Sequence, residues 1–182
     1  MDDMVRLVEP LIPALRRYAR ALLRDPHVAD DLVQDCLERA IARWHQRRDG
    51  GDTRKWIFAI MHNLAMDQLR RTRARAGDIP LDAADDTMLS VPPAQEDQLR
   101  YGDVLRALEQ LPDEQRSVVL LVSVEDMSYE EAAKVLDIPT GTVTSRLARA
   151  REKLLRIMRG AGRDTGGDGR HADGKPVLRR VK

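Results

Sequence analysis

The chain of 182 residues is poor in several features that mark secreted, membrane and disulfide-bonded proteins. Its single cysteine, Cys36, excludes an intramolecular disulfide framework, which suits a reducing cytoplasm. Aromatic residues make up 3% of the chain, so the cores must be built from Leu, Val, Ile, Ala and Met. No apolar run approaches the roughly 18 residues that span a bilayer, and the acidic start, MDDMVRLVEP, lacks a signal-peptide pattern. We therefore expect a soluble globular protein without direct membrane insertion.

Motifs for catalysis and metal binding are also lacking. The sequence has no phosphate-binding loop, no GxSxG motif and no carboxylate pair that stands apart from ordinary helix faces. The four histidines and Cys36 show none of the close spacings that metal ligands have. The sequence therefore predicts a protein that is not an enzyme, with no cofactor, no metal and no small-molecule substrate.

The net charge is +1, but the charge is distributed unevenly along the chain. Residues 1–76 carry 15 basic and 11 acidic side chains, residues 77–103 carry one and seven, and residues 160–182 carry six and three. The acidic segment also contains three prolines, and such a composition buries too little apolar surface to offset its ordering entropy. Four segments are predicted: a domain at 1–76, a flexible acidic linker at 77–103, a second domain at 104–159, and a disordered, basic, Gly-rich tail at 160–182.

Apolar residues recur at steps of three and four in both predicted domains, which indicates an all-α fold. Prolines 10 and 13 are expected to shape the start of the first helix. The run SVVLLVSV, residues 117–124, also fits a strand, but its helical flanks favour a buried helix. The predicted helices run from about Val5 to Leu23, Val28 to Arg47, Thr53 to Arg75, Val104 to Leu111, Asp113 to Val124, Ser128 to Asp137 and Thr140 to Met158.

The last two predicted helices have the pattern of a helix-turn-helix. Ser128 and Glu131 have the spacing of a capping box, and Ile138-Pro139-Thr140 forms a short connection. The second helix presents small polar and basic residues near its start, where Arg, Ser and Thr side chains can contact base edges or phosphates. Two alternatives stay open: the basic residues form a solvated helix face, or the motif packs against another protein.

Several stretches resemble one known family, the extracytoplasmic-function (ECF) sigma factors. MSYEEAAKVLDIPTGTVTSRLARAREKL is very similar to the C-terminal signature of that family, and ALEQLPDEQRSVVLL resembles its usual lead-in. ADDLVQDCLERAIARW resembles the segment that grips core RNA polymerase, and TRKWIFAIMHNLAMDQLRRTRAR resembles the segment that reads and opens the promoter −10 element. The matches run from Leu7 to Arg159 in the order that the family has.

The resemblance implies a sigma factor that binds the clamp and flap of core RNA polymerase and promoter DNA, under the control of an anti-sigma factor. It also implies a bacterial cytoplasmic location, with the anti-sigma factor able to hold the protein near the membrane. The positions carried over are Asp31, Leu32, Gln34, Asp35 and Glu38 for core polymerase; Trp56, His62, Asn63, Gln68, Arg70, Arg71 and Arg73 for the −10 element; and Thr140, Gly141, Thr142, Thr144, Ser145, Arg146, Ala148 and Arg149 for the −35 element.

The sequence departs from the family pattern at two positions. Thr144 stands where the family often has Arg or Lys, and His62 replaces a small or basic residue. Trp56, which could stack on a base, also suits a core position. Two other functions stay open: an operator-binding regulator, which needs only the helix-turn-helix, and a sigma-mimicking decoy, which binds an anti-sigma factor without starting transcription.

Overall fold

The computed structural model describes residues 2–23, 25–47, 51–77 and 104–164, and every regular element in these ranges is helical, as predicted. The α-helices are α1 Asp2–Val8, α2 Ile12–Leu22, α3 Pro26–Ala42, α4 Thr53–Gly77, α5 at 104–109, α6 Asp113–Val119, α7 Tyr129–Leu136 and α8 Thr140–Asp164. Apart from Gly77 and residues 160–164, the predicted linker and tail lie outside the described residues.

The region predicted as one helix at Val5–Leu23 is divided into three pieces. A 3-10 turn at Glu9–Leu11 separates α1 from α2. Pro10 lies in the first positions of that turn and Pro13 in the first positions of α2. Proline has no backbone N–H to donate, so it is tolerated at these positions, where a helix interior would exclude it. The two prolines therefore set the breaks, instead of only shaping the start of a continuous helix.

The helices α2, α3 and α4 form an N-terminal bundle with α1. The side chain of Asp25 caps α3 by accepting hydrogen bonds from the backbone N–H groups of His27 and Val28, at 2.8 and 3.2 Å. The apolar stripe predicted for this helix consists of Leu32, Val33, Cys36, Leu37, Ala40, Ile41 and Trp44. Most of it faces the core, with Cys36 fully buried. The prediction is wrong for Ile41, which is 54% exposed. Tyr18 of α2 meets Phe58 of α4 edge to face, with 5.7 Å between ring centroids.

The C-terminal bundle consists of α5 to α8. The SVVLLVSV run is helical, but α6 widens into a π turn at Leu120–Val124. The backbone N–H of Glu125 donates to the carbonyl of Leu120 at 3.0 Å, and that of Met127 donates to Leu121 at 3.0 Å. Asp126 between them has a positive φ of 52°, as residues that end helices often do. The π turn therefore fixes where the Glu125 side chain points.

The helix-turn-helix prediction agrees with the fold of α7 and α8. Ser128 Oγ accepts from the N–H of Glu131 at 3.1 Å, and Glu131 Oε2 accepts from the N–H of Ser128 at 2.9 Å, which completes the capping box. Asp137 ends α7 with a φ of 52°. The following helix α8 continues to Asp164, beyond the expected boundary at Arg159, so 160–164 are helical and not part of a disordered tail.

The two bundles are packed against each other instead of being held apart. Helix α4 contacts α7, and α2 contacts α6 and the π turn. A single cluster of buried apolar side chains runs through both bundles. The chain therefore has two helical domains in sequence but one continuous core in this conformation.

Candidate nucleic-acid and polymerase interface

The start of α8 presents an exposed surface made by the residues predicted to read the −35 element. Its inner face carries Val143, Leu147 and Ala150, which are buried in the bundle. These apolar contacts fix the rotation of the helix, and the opposite face is left to solvent. The exposed members of the predicted set are Thr140, Gly141, Thr144, Ala148 and Arg149, and the partly buried members are Thr142, Ser145 and Arg146.

Three polar side chains of this helix already have partners within the protein. Thr144 Oγ1 donates to the carbonyl of Thr140 and Ser145 Oγ donates to that of Thr142, both at 3.1 Å. Each hydroxyl keeps lone pairs that can accept from a donor on DNA. Arg146 pairs with Glu114 of α6 at 2.6 Å. Arg149 forms no ion pair with any other described residue, and it is therefore the guanidinium best placed to meet a base edge or a phosphate.

The predicted −10 residues lie along α4, but they do not share one surface. Asn63, Arg70 and Arg71 are exposed, and the Gln68 side chain is partly buried. Arg73 is also exposed but pairs with Asp113 of α6. Asn63 can therefore offer its amide to an unstacked base, and Arg71 is open to phosphates. Arg70 already pairs with Asp67 of the same helix.

His62 and Trp56 take part in the packing of the protein. His62 is 8% exposed, and the Tyr18 hydroxyl hydrogen-bonds to its Nδ1 at 3.0 Å. Burial, with a smaller contribution from Arg146, lowers the pKa of His62 from 6.5 to about 4. Trp56 is partly buried and meets Trp44 edge to face at 5.9 Å. In this conformation His62 is buried and Trp56 is partly buried, whereas Asn63 is exposed.

The predicted polymerase-binding residues form an acidic and amide strip on the outer face of α3. Asp31, Gln34, Asp35 and Glu38 are exposed, and Gln34 Nε2 donates to Glu38 Oε1 at 3.0 Å. Asp31 and Asp35 form no ion pair with another described residue, so both carboxylates are available to a basic partner. Leu32 is different, because its side chain is 5% exposed and packs in the core.

Sequence reasoning missed two buried charged residues that join the bundles, Arg116 and Glu125. Arg116 is 2% exposed, and its guanidinium donates to carbonyls of both bundles, including that of Leu22 at 2.9 Å. The Glu125 side chain is 1% exposed and pairs with Arg17 and Arg54 at 3.2 and 3.1 Å. In the sequence each looks like an ordinary solvated helix charge. They flank the apolar run SVVLLVSV at residues 117–124, but charges at the ends of such a run are also typical of solvated helix ends.

No described helix combines the length and apolar character needed to cross a bilayer. Within the same ranges, no cluster of three or more His, Cys, Asp or Glu side chains could hold a metal ion.

Two protein families match the chain in the order of its bundles. The family described as the Sigma2 domain of PhyR matches residues 8–62, and the family described as Sigma-70, region 4, matches residues 101–154. The first match covers α2, α3 and the start of α4, and the second covers α5 to the middle of α8. The helix-turn-helix thus coincides with a region 4 domain.

Curated relatives and solved structures are similar to this chain over most of its length. The ECF RNA polymerase sigma factor EcfG of Rhodopseudomonas palustris is 34% identical over 86% of this chain and 83% of its own length. SigM of Mycobacterium tuberculosis is 33% identical over 79% of this chain and 71% of its own length. The sigma factor RpoE of Bartonella quintana, solved with the anti-sigma factor NepR, is 31% identical with a TM-score of 0.77, over 87% of this chain and 98% of its own.

These relatives match both bundles and the segment order, and not the helix-turn-helix alone. An operator-binding regulator would need only the second match, so that alternative does not explain the chain. The chain therefore belongs to the ECF RNA polymerase sigma factors, which direct promoter-specific transcription initiation.

Proposed function

We propose that residues 104–159 read the −35 element as duplex DNA through the exposed start of α8. The observation that carries this proposal is the exposure of Gly141, Thr144, Ala148 and Arg149 on one side of a helix whose other side is buried. Small side chains at Gly141 and Ala148 allow the helix to approach base edges closely, and Arg149 supplies the strongest donor. Thr144, in place of an Arg or Lys, removes one cationic contact.

Replacing Arg149 tests this reading directly. Arg149→Ala should weaken binding to promoters with the preferred −35 sequence by about 1–3 kcal/mol and relax preference at one base pair. The matched control is Arg151→Ala, which removes the same charge from an exposed position about 200° around the helix. The control should weaken binding to all sequences about equally. An Arg149→Ala protein with unchanged promoter preference would contradict the assignment.

Gly141 allows a second test that leaves the fold intact. A methyl group added at Gly141 meets no heavy atom within 4 Å, and Ala favours helix over Gly by about 1 kcal/mol. Gly141→Ala should therefore fold at least as stably as the wild type. If the helix start contacts DNA closely, the same variant should lose −35 binding. Unchanged −35 binding by Gly141→Ala would indicate that DNA contacts α8 closer to its C-terminus than Gly141.

We infer that residues 1–76 bind core polymerase through Asp31, Gln34, Asp35 and Glu38, and the −10 element through Asn63, Arg70 and Arg71. The support is that these side chains are exposed on α3 and α4. The linker at 77–103 would tether the domains, so that two modest DNA contacts combine through effective concentration. The chain itself catalyses no reaction in this proposal, and it acts in the bacterial cytoplasm, where polymerase and promoters are.

Run-off transcription with purified core RNA polymerase and a promoter library tests the whole proposal. Discrete transcripts that share two upstream elements are expected. The match to the Sigma2 domain of PhyR favours one second candidate, a decoy that binds an anti-sigma factor without initiating. Exposed Asn63 and Arg70 argue against a decoy, which has no need of promoter-facing side chains. Tight core binding without transcripts would support the decoy, and lack of core binding would contradict the proposed binding of core polymerase by residues 1–76.

Control by an anti-sigma factor is part of the proposal. RpoE of Bartonella quintana was solved with NepR, and CnrH, 25% identical with a TM-score of 0.66, was solved with the cytosolic domain of CnrY. Both similarities extend over both bundles, since they cover 87% and 86% of this chain. Titration of Bartonella quintana NepR into the run-off reaction should suppress transcripts. If NepR neither binds the chain nor suppresses the transcripts, the similarity is limited to the fold, and control by this class of inhibitor is unsupported.

A further inference from the structure

A cleft beside α2 combines an apolar lining with three arginines. It encloses about 520 Å³ between α2, the start of α3 and α5. Volumes of about 300–1,000 Å³ are typical of sites that hold small molecules. Six of the ten residues that line it are apolar: Ile12, Pro13, Ala21, Leu23, Pro26 and Leu105. None of the residues assigned above to polymerase or promoter DNA lines this cleft.

The three arginines come from one side of α2. Arg16, Arg17 and Arg20 are exposed, and all three line the cleft. Residues three and four positions apart are neighbours on a helix surface, so Arg20 lies next to both of the others. Positive charge is therefore concentrated along one edge of a mainly apolar cleft.

These guanidinium groups have donors to spare. The hydrogen bonds from Arg17 to Glu125 and from Arg20 to Asp30 all start at Nη2, at 2.9 to 3.3 Å. A guanidinium has five N–H donors, so Nε and Nη1 of both residues can donate to a further acceptor. Arg16 forms no ion pair with any other described residue, and its whole guanidinium is available.

The residue types of the lining decide which ligands fit. Among the lining residues there is no aromatic ring on which a base could stack, and no amide or hydroxyl that could read a base edge. A cationic ligand would meet three arginines and one acid, Glu109. An aliphatic chain fits the apolar residues, and a carboxylate at its end matches a guanidinium, which can bind it through two parallel hydrogen bonds.

We propose that this cleft binds a small aliphatic carboxylate, with its chain against Ile12, Leu23 and Leu105 and its carboxylate on Arg16. Arg17 and Arg20 add positive charge at the same edge. The bound molecule would contact α2 and α5 together. Because the proposal concerns the free chain, it does not depend on binding to polymerase or DNA.

Calorimetric titration of the full-length chain with hexanoate, octanoate and decanoate tests the site, at concentrations where none of them forms micelles. One molecule should bind per chain, and each added methylene should tighten binding about fourfold, since it is buried in the cleft. Octanol has the same chain without the charge and should bind about 10- to 100-fold more weakly than octanoate. Equal affinities for octanol and octanoate, or no binding of decanoate at millimolar concentration, would overturn the proposal.

Replacement of Arg16 tests the anion contact. Arg16→Gln should weaken octanoate binding by about 10-fold or more and leave octanol binding unchanged. The matched control is Arg39→Gln, which removes the same charge from an exposed position on α3 that does not line the cleft. The control should bind octanoate as the wild type does. Equal losses in the two variants would show an effect of net charge alone and would refute the assignment of Arg16.

Replacement of Ala21 tests the apolar part of the site. Ala and Leu are both good helix formers, so Ala21→Leu should keep the helical circular dichroism spectrum. The larger side chain takes up space that up to three methylenes would fill, so decanoate binding should weaken by about 10-fold or more. A folded variant that binds decanoate as the wild type does would contradict this location. If Ala21→Leu fails to fold, Arg16→Gln still tests the site, because Arg16 is exposed.

Vesicles of phosphatidylglycerol distinguish a free carboxylate from a membrane lipid, which also joins an anion to an aliphatic chain. The wild-type chain should stay in the supernatant when such vesicles are sedimented. Sedimentation of the wild type but not of Arg16→Gln, without octanoate binding, would assign the cleft to a lipid surface and overturn the proposal. None of these measurements uses polymerase, so they stand or fail separately from run-off transcription.

Discussion

Replacement of Arg116 by Met should destabilise the whole fold far more than loss of a surface charge. The guanidinium donates to four backbone carbonyls, those of Leu108 at 2.8 Å, Leu22 at 2.9 Å, Glu109 at 2.7 Å and Leu111 at 3.0 Å. Met keeps much of the volume but none of the donors, so buried carbonyls lose partners. Each hydrogen bond to a charged group contributes about 1.5–3 kcal/mol, although such contributions do not add within one network.

The expected loss in the free energy of unfolding for Arg116→Met is about 3–5 kcal/mol, because several buried carbonyls lose a charged donor at once and the separate contributions do not add. Urea titration, monitored by circular dichroism, measures this loss as a lower midpoint of unfolding with an unchanged dependence of the unfolding free energy on urea concentration. The control, Arg151→Met, removes an exposed arginine and should stay within about 0.5 kcal/mol of wild type. A loss below about 1 kcal/mol for Arg116→Met would show that water or relaxed carbonyls replace the guanidinium, and would refute this reasoning.

Three other perturbations have signs fixed by the structure. The pKa of His62 is about 4 in the folded protein and 6.5 in the unfolded chain, so the unfolded state binds more protons between these pH values. The free energy of unfolding should therefore fall by about 3 kcal/mol from pH 6.5 to pH 4. His62→Asn should reduce that fall in urea titrations at matched pH. Ser128→Ala removes the capping box and should lower the unfolding free energy by about 1 kcal/mol, with Ser123→Ala as the control. Asp137→Gly removes the side chain at a residue with a positive φ and should raise the unfolding free energy by about 0.5–1 kcal/mol, whereas Asp137→Ala should not raise it. Equal effects of the two substitutions would contradict the argument from backbone conformation.

Most of the helices could be predicted from the sequence because their signals are local. The stripe through Val33, Cys36 and Ala40 marks the buried side of α3, and the spacing of Ser128 and Glu131 marks the start of α7. A capping box and an apolar period depend on neighbours within a few residues. The exposed face of α8 can be predicted in the same way, because the apolar residues mark the buried side and the opposite side is left to solvent.

The features that sequence reasoning missed depend on contacts that are distant along the chain. Nothing local distinguishes Arg116 or Glu125 from solvated helix charges, since their partners lie as far as 94 and 108 positions away. The π turn that aims Glu125 sits in an apolar run that is equally suited to a regular helix. His62 fits a DNA-facing position by its place beside Asn63, but Tyr18 and the second bundle bury it. Packing between bundles decides each case.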